Sequence, residues 1–152
     1  TGGNTGGGVF INAFVPGFTL SNNIMSFNDG YLGGGVRIGV PGADEDAAND
    51  NITMRNNRIV QNGGGIDLAA EGPGGIAIYG GADGYLVSEN MICGNFTLNN
   101  GAGIGHIGLS DEGRIEDNRI LFNQSFNQAQ SARGGGIYVA GVPAARIHRQ
   151  GL

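Results

Sequence analysis

The sequence predicts an all-β chain folded as a stack of about five short-stranded coils, and three observations predict it. An asparagine motif recurs, a glycine motif recurs between its copies, and the spacing between the two is nearly constant. In the asparagine motif an apolar residue is followed at +3 by Asn, at +5 by Ile or Met and at +8 by Asn. The copies are Leu20, Asn23, Met25, Asn28; then Met54, Asn57, Ile59, Asn62; then Val87, Asn90, Ile92, Asn95; then Ile115, Asn118, Ile120, Asn123. Ile147, Gln150 and Leu152 open a further copy. The glycine motif places two apolar residues one apart behind a glycine, as in Gly8-Val9-Phe10-Ile11, Gly35-Val36-Arg37-Ile38, Gly75-Ile76-Ala77-Ile78 and Gly136-Ile137-Tyr138-Val139. Gly103-Ile104-Gly105-His106 is an imperfect copy. Val9 to Leu20, Ile76 to Val87 and Ile104 to Ile115 are each 11 residues. Repeats of this length indicate stacked units, each burying the face its neighbour leaves open.

Composition agrees. Glycine is 32 of 152 residues, far above the usual ~7%, without a collagen period. It sits with Asn at repeat corners, where tight turns and positive φ are needed. All eight basic residues are Arg and the net charge is −5, which argues against a nucleic-acid partner. No apolar run approaches the ~20 residues of a membrane span. Cys93 is alone, so no disulfide framework or cysteine metal cluster exists. The sequence opens on a glycine run and stops inside a repeat. The expectation is one β segment over 1–152, part of a longer repeat protein whose flanking coils, or neighbouring copies end to end, cover its two ends.

In chain order, Val9 to Ile11 and Leu20 to Met25 read as strands around a turn at Pro16-Gly17. Residues 39–51 are polar, acidic and without alternation, hence a surface loop. Ile52 to Ile59 resumes the strand pattern. Ile66 and Ile76 compete for the next stacked position, and Ile76 keeps the 11-residue spacing. Ile104 to Leu109 and Ile115 to Ile120 form the following coil, and 124–133 reads as a second surface loop. Apolar residues alternate within short segments bounded by Gly, Asn and Pro, which is strand patterning. Stacking then aligns Val9, Val36, Ile76, Ile104 and Ile137 in one apolar column. Leu20, Met54, Val87 and Ile115 form a second, and Met25, Ile59, Ile92 and Ile120 a third. Asn23, Asn57, Asn90 and Asn118, like Asn28, Asn62, Asn95 and Asn123, stack as amide ladders, known stabilisers of stacked strands.

These glycine and asparagine strands resemble the repeats of the pectate-lyase-like superfamily. Beside Phe27-Asn28, Phe96-Thr97-Leu98-Asn99 and Phe122-Asn123 they are also similar to repeats of polymorphic outer-membrane and autotransporter adhesins. The resemblance implies a right-handed parallel β-helix. It leaves function open, because this fold carries lyases, hydrolases and inert stalks.

The chemistry legible in the sequence is sparse. The resemblance to polysaccharide lyases implies Ca²⁺-binding acids and a catalytic Arg or Lys on one strand face. The outward positions of the glycine-motif strands are Phe10, Arg37, Asp67 or Ala77, Gly105 and Tyr138, with no clustered acids. Asp44, Glu45, Asp46 and Asp50 crowd the first loop. Clustered carboxylates on a loop suit Ca²⁺, which takes six to eight oxygens; the plainer reading is a solvated acidic loop. Asp83, Asp111 and Glu112 extend an acidic rim. His106 stands where other coils carry aliphatic residues and reads as a hydrogen-bonded core residue. Arg58 and Arg119 are placed to pair with Glu89, Glu116 or Asp117 across coils. Tyr31, Tyr79, Tyr85 and Tyr138 are candidate sugar-stacking rings. The expected function is a non-catalytic, extracellular or cell-surface structural or adhesive module, with no catalytic or cofactor-binding residues assigned. The alternative is part of a uronate polysaccharide lyase or a polysaccharide-binding module.

Overall fold

The computed structural model describes residues 7–39, 46–64, 72–126 and 131–141. Their strands form four parallel sheets that run the length of a β-helix. Sheet A holds β1 (Val9–Ile11), β5 (Val36–Ile38), β9 (Ile76–Tyr79), β13 (Ile104–Ile107) and β17 (Ile137–Ala140). Sheet B holds β2 (Thr19–Ser21), β6 (Thr53–Arg55), β10 (Leu86–Ser88) and β14 (Arg114–Glu116). Sheet C holds β3 (Ile24–Ser26), β7 (Arg58–Val60), β11 (Met91–Cys93) and β15 (Arg119–Leu121). Sheet D is a two-residue ledge of β4 (Asp29–Gly30), β8 (Gly63–Gly64), β12 (Phe96–Thr97) and β16 (Gln124–Ser125). Each coil crosses A, B, C and D in turn, then rises one strand spacing, ~4.8 Å. Strands this short stand only because each pairs with the coils above and below.

The expected columns form in register. Val9 pairs with Val36, Val36 with Ile76, Ile76 with Ile104, and Ile104 with Ile137. Leu20, Met54, Val87 and Ile115 align in sheet B, and Met25, Ile59, Ile92 and Ile120 in sheet C. The middle of the stack is dry, with Val36, Ile38, Met54, Ile59, Ile76, Ile78, Val87, Ile92 and Ile104 fully buried. Burying one such side chain contributes roughly 1.5–3 kcal/mol, so the stack is driven mainly by these columns.

Ile76 takes the sheet position; Ile66 lies outside the described residues. Sheet D was not anticipated from the sequence. Its residues share no side-chain type, and its strands exist because the glycine run beside it lets backbones approach closely. A Cβ on Gly34 would fall 2.3 Å from both the Gly63 and Gly74 carbonyl oxygens. The second expected loop, 124–133, opens on a strand. Gln124–Ser125 pairs with Phe96–Thr97 as a strand. Asn49, at the end of the first loop, is buried; its amide bonds the Asn12 carbonyl and the Val15 N–H, and its own N–H bonds the Gly81 carbonyl.

The charge pairs differ from those expected. Arg55, not Arg58, reaches across a coil to Glu89 at 3.1 Å, and Arg114 lies 4.0 Å from Glu116 in its own strand. Arg58 sits in register with Ile24 and Met91, and Arg119 with Met91. Both pairs therefore start from arginines of sheet B.

Candidate functional site

The two asparagine ladders occupy the corners between sheets B and C and between C and D. At the first, the Asn57 N–H and Nδ2 both donate to Asn90 Oδ1 at 2.9 Å, and Nδ2 also donates to the Leu20 carbonyl at 2.8 Å. Asn90 repeats this with Asn118 Oδ1 and the Met54 carbonyl, each at 2.9 Å. At the second corner, Asn62 bonds Asn95 Oδ1 and the Met25 carbonyl, and Asn95 bonds Asn123 Oδ1 and the Ile59 carbonyl. Asn23 and Asn28 start the two ladders by donating to Asn57 and Asn62. Asn118 and Asn123 reach back to the Val87 and Ile92 carbonyls. Each of the four inner amides, Asn57, Asn62, Asn90 and Asn95, thus ties three coils, and all four are buried. Asn95-Phe96-Thr97 matches the glycosylation sequon, and a glycan on Asn95 would break the ladder.

Each ladder Asn follows a residue in the left-handed region. Before the first ladder these are Asn22, Asn56, Glu89 and Asp117, with φ between 54° and 60°. Before the second they are Phe27, Gln61, Gly94 and Phe122, with φ between 54° and 65°. The sequence signal was the invariant Asn spacing, but the preceding residues share no type, so the left-handed corner went unread.

The outer face of sheet A is where a lyase-like site would lie. Phe10, Arg37, Ala77, Gly105 and Tyr138 align there as expected. The middle of the row, Arg37, Ala77 and Gly105, is covered, however. Arg37 is 2% exposed; its guanidinium lies 4.4 Å from the Phe10 ring centroid and 5.8 Å from that of Tyr79, and its Nε donates to the Gly39 carbonyl. Burial lowers its pKa, offset in part by Tyr79. Ala77 is fully buried, and a Cβ on Gly105 would fall 2.3 Å from Pro73 Cγ. Pro73 therefore sits on the sheet where a substrate would lie. Tyr79 donates to the Leu32 carbonyl and Tyr85 is buried, so neither ring offers a face to a sugar. Tyr31 and Tyr138 are half-buried.

Asp44 and Glu45 lie outside the described residues. Asp46 Oδ1 accepts the Ala48 N–H at 2.7 Å, and Asp50 Oδ1 accepts the Asp83 N–H at 3.2 Å. Asp83 in turn accepts the Asp111 N–H at 2.7 Å. The acidic rim is therefore Asp50, Asp83 and Asp111 on successive coils, each of the first two satisfying a backbone donor of the next. Among the described residues no three His, Cys, Asp or Glu converge on a point a metal could occupy.

His106 is a buried interior residue, paired in register with Ile78 and Val139. Its Nδ1 lies 2.9 Å from the Tyr85 hydroxyl, with the rings edge to face at 5.4 Å. Tyr85 reaches this coil because Gly113 leaves room; a Cβ there would fall 2.2 Å from its ring. Burial lowers the His106 pKa and raises that of Tyr85. His106 Nε2 has no partner among the described residues, which favours the neutral imidazole, since the cation would bury an unpaired N–H there.

An open groove remains at the corner between sheets C and D. It has a volume of about 410 Å³ and is lined by Phe27, Asp29, Gln61, Gly63, Gly94 and Phe96, with the ladder Asn28 and Asn62 behind them. Phe27 is 77% exposed.

Fold and site together define a parallel β-helix with asparagine ladders. Compared with protein-family models, curated proteins and solved structures, the chain gives no match. Among the described residues, no helix is long and apolar enough to cross a membrane.

Proposed function

We propose that the chain is a non-catalytic structural or adhesive β-helix module of an extracellular or cell-surface protein. What supports this most is the direction of the ladders. Each Asn donates to the Asn of the following coil. The first rungs, Asn23 and Asn28, therefore turn amide oxygens toward whatever precedes them, and the last described rungs turn backbone N–H groups the other way. Such ends are complementary, as are the edges of four parallel sheets. They suit flanking coils of the same parent protein or neighbouring copies stacked end to end, a head-to-tail contact that extends without closing. The roof of Pro73 over Gly105 and the burial of Arg37 favour this reading over a lyase with its site on sheet A.

Two measurements test it. Intact source cells treated with protease should lose the module from their surface; a strictly internal location would contradict the proposal. Incubation with pectate or alginate in the presence of Ca²⁺ should give no ultraviolet absorbance from unsaturated uronates. Appearance of that absorbance would favour the lyase.

A further inference from the structure

We propose that the groove between sheets C and D is a binding site for a neutral polysaccharide chain lying along the stack. This goes beyond the stacking role, which stands or falls separately.

Phe27 adopts a φ of 56°, a region bulky residues rarely adopt. It is also 77% exposed. It therefore carries backbone strain and leaves an aromatic ring in water. The equivalent corner between sheets B and C is built by Asn22, Asn56, Glu89 and Asp117, so stacking does not require an aromatic residue there. Strain and exposed apolar surface held at one place are marks of a binding site.

The lining selects the ligand. Phe27 on the first coil and Phe96 on the third stand about 10 Å apart along the stack axis, two strand spacings. The floor is backbone at Gly63 on the second coil and at Gly94 beside Phe96 on the third. Gly94 is open, with only Gln61 Cγ near the place its Cβ would take, at 3.6 Å. The Asp29 carboxylate leans over Gly63, where a Cβ would fall 2.3 Å from Oδ1. Rings at two levels, with a carboxylate and an amide between them, match a chain of pyranose rings. Their C–H faces lie on phenyl rings, and their hydroxyls donate to Asp29 and exchange hydrogen bonds with Gln61. Few convergent polar groups on an apolar bed are the usual makeup of a ligand site. Coil spacing is close to the length of one pyranose unit, so successive sugars meet successive coils. Charge narrows the class further. Asp29 is the charged residue of the groove and no lining residue is cationic, so uronate, sulfated and phosphorylated chains are repelled.

The test is titration calorimetry of the 152-residue chain with cellohexaose and with chitohexaose, and with polygalacturonate as the acidic comparison. At least one neutral hexaose should bind saturably. Phe27→Asn removes a ring, Gly94→Asn fills the floor, and both place at a left-handed corner the residue already used at Asn22 and Asn56. Each should weaken binding by on the order of ten-fold while the urea midpoint shows the fold intact. Phe122→Asn, outside the lining, should leave binding unchanged. Saturation by neither hexaose, binding unaffected by both groove variants, or tighter binding of polygalacturonate would overturn the proposal. Dimerisation of the free chain that Phe27→Asn abolishes would also overturn it, in favour of a second copy as occupant.

Discussion

The two ladder corners have one backbone and two chemistries. Both place a residue at positive φ before a buried Asn, and both bond that Asn to the next coil at about the same distances. The corner between sheets B and C carries Asn, Asn, Glu and Asp at the left-handed position. The corner between C and D carries Phe, Gln, Gly and Phe. Since the geometry is shared, the fold explains the ladder and the positive φ but not the phenylalanines. The comparison separates what holds coils together from what the surface is for.

The largest expected effect tests the shared part. Asn57→Ala and Asn62→Ala each remove a side chain that bonds three coils and leave buried backbone groups unpaired. Each should cost about 2–3 kcal/mol in urea unfolding, equally at the two corners. A large loss at one corner and none at the other would break the equivalence.

The next effect lies inside the stack, away from both corners. Tyr85→Phe strips His106 Nδ1 of its partner and should cost ~1–2 kcal/mol. Adding His106→Leu should recover most of that loss, because both polar partners are then gone. The folded pKa of His106 is lowered by burial. Above the unfolded value of ~6.5 the imidazole is neutral in both states. As pH falls through 6.5 the unfolded chain takes up a proton that the folded chain refuses, so stability declines down to the folded pKa. The double variant should lose that decline between neutral and mildly acid pH, read as a flatter urea midpoint against pH.

A smaller effect sharpens the contrast directly. Left-handed backbone costs an ordinary L residue about 1–2 kcal/mol, and Asn much less. Phe122→Asn should therefore stabilise the chain by roughly 0.5–1 kcal/mol. A loss of stability would mean the ring packs on the stack. The smallest effect is at the polar corner. Glu89→Gln breaks an ion pair whose side chains are about half exposed, and should cost less than ~0.5 kcal/mol.

Much of the fold was legible because the repeat is written in side chains that face inward. Val9, Val36, Ile76, Ile104 and Ile137 fall in one column because stacking admits no slip in register without turning apolar residues outward. The Asn spacing was legible for the same reason, since a ladder needs the same amide in every coil. Sheet D was not, because Asp29, Gly63, Phe96 and Gln124 share only backbone conformation. The pairing of Arg55 with Glu89, in place of Arg58, turned on which sheet each side chain leaves, and the one-coil spacing alone does not say. The site was least legible. Tyr79 and Tyr85 look like sugar platforms as letters, yet one caps the Leu32 carbonyl and the other serves His106. Phe27 is unremarkable in sequence until its backbone is seen to be left-handed.

Amide hydrogen exchange at the ladder tests the central claim most directly. The backbone N–H groups of Asn57, Asn90, Asn62 and Asn95 each donate to a side-chain oxygen one coil away. If the ladders bind the coils, these four should exchange as slowly as the strand amides of Ile59 and Ile92, by opening of the whole stack. Exchange as fast as that of exposed turns, while those strand amides stay protected, would contradict the account.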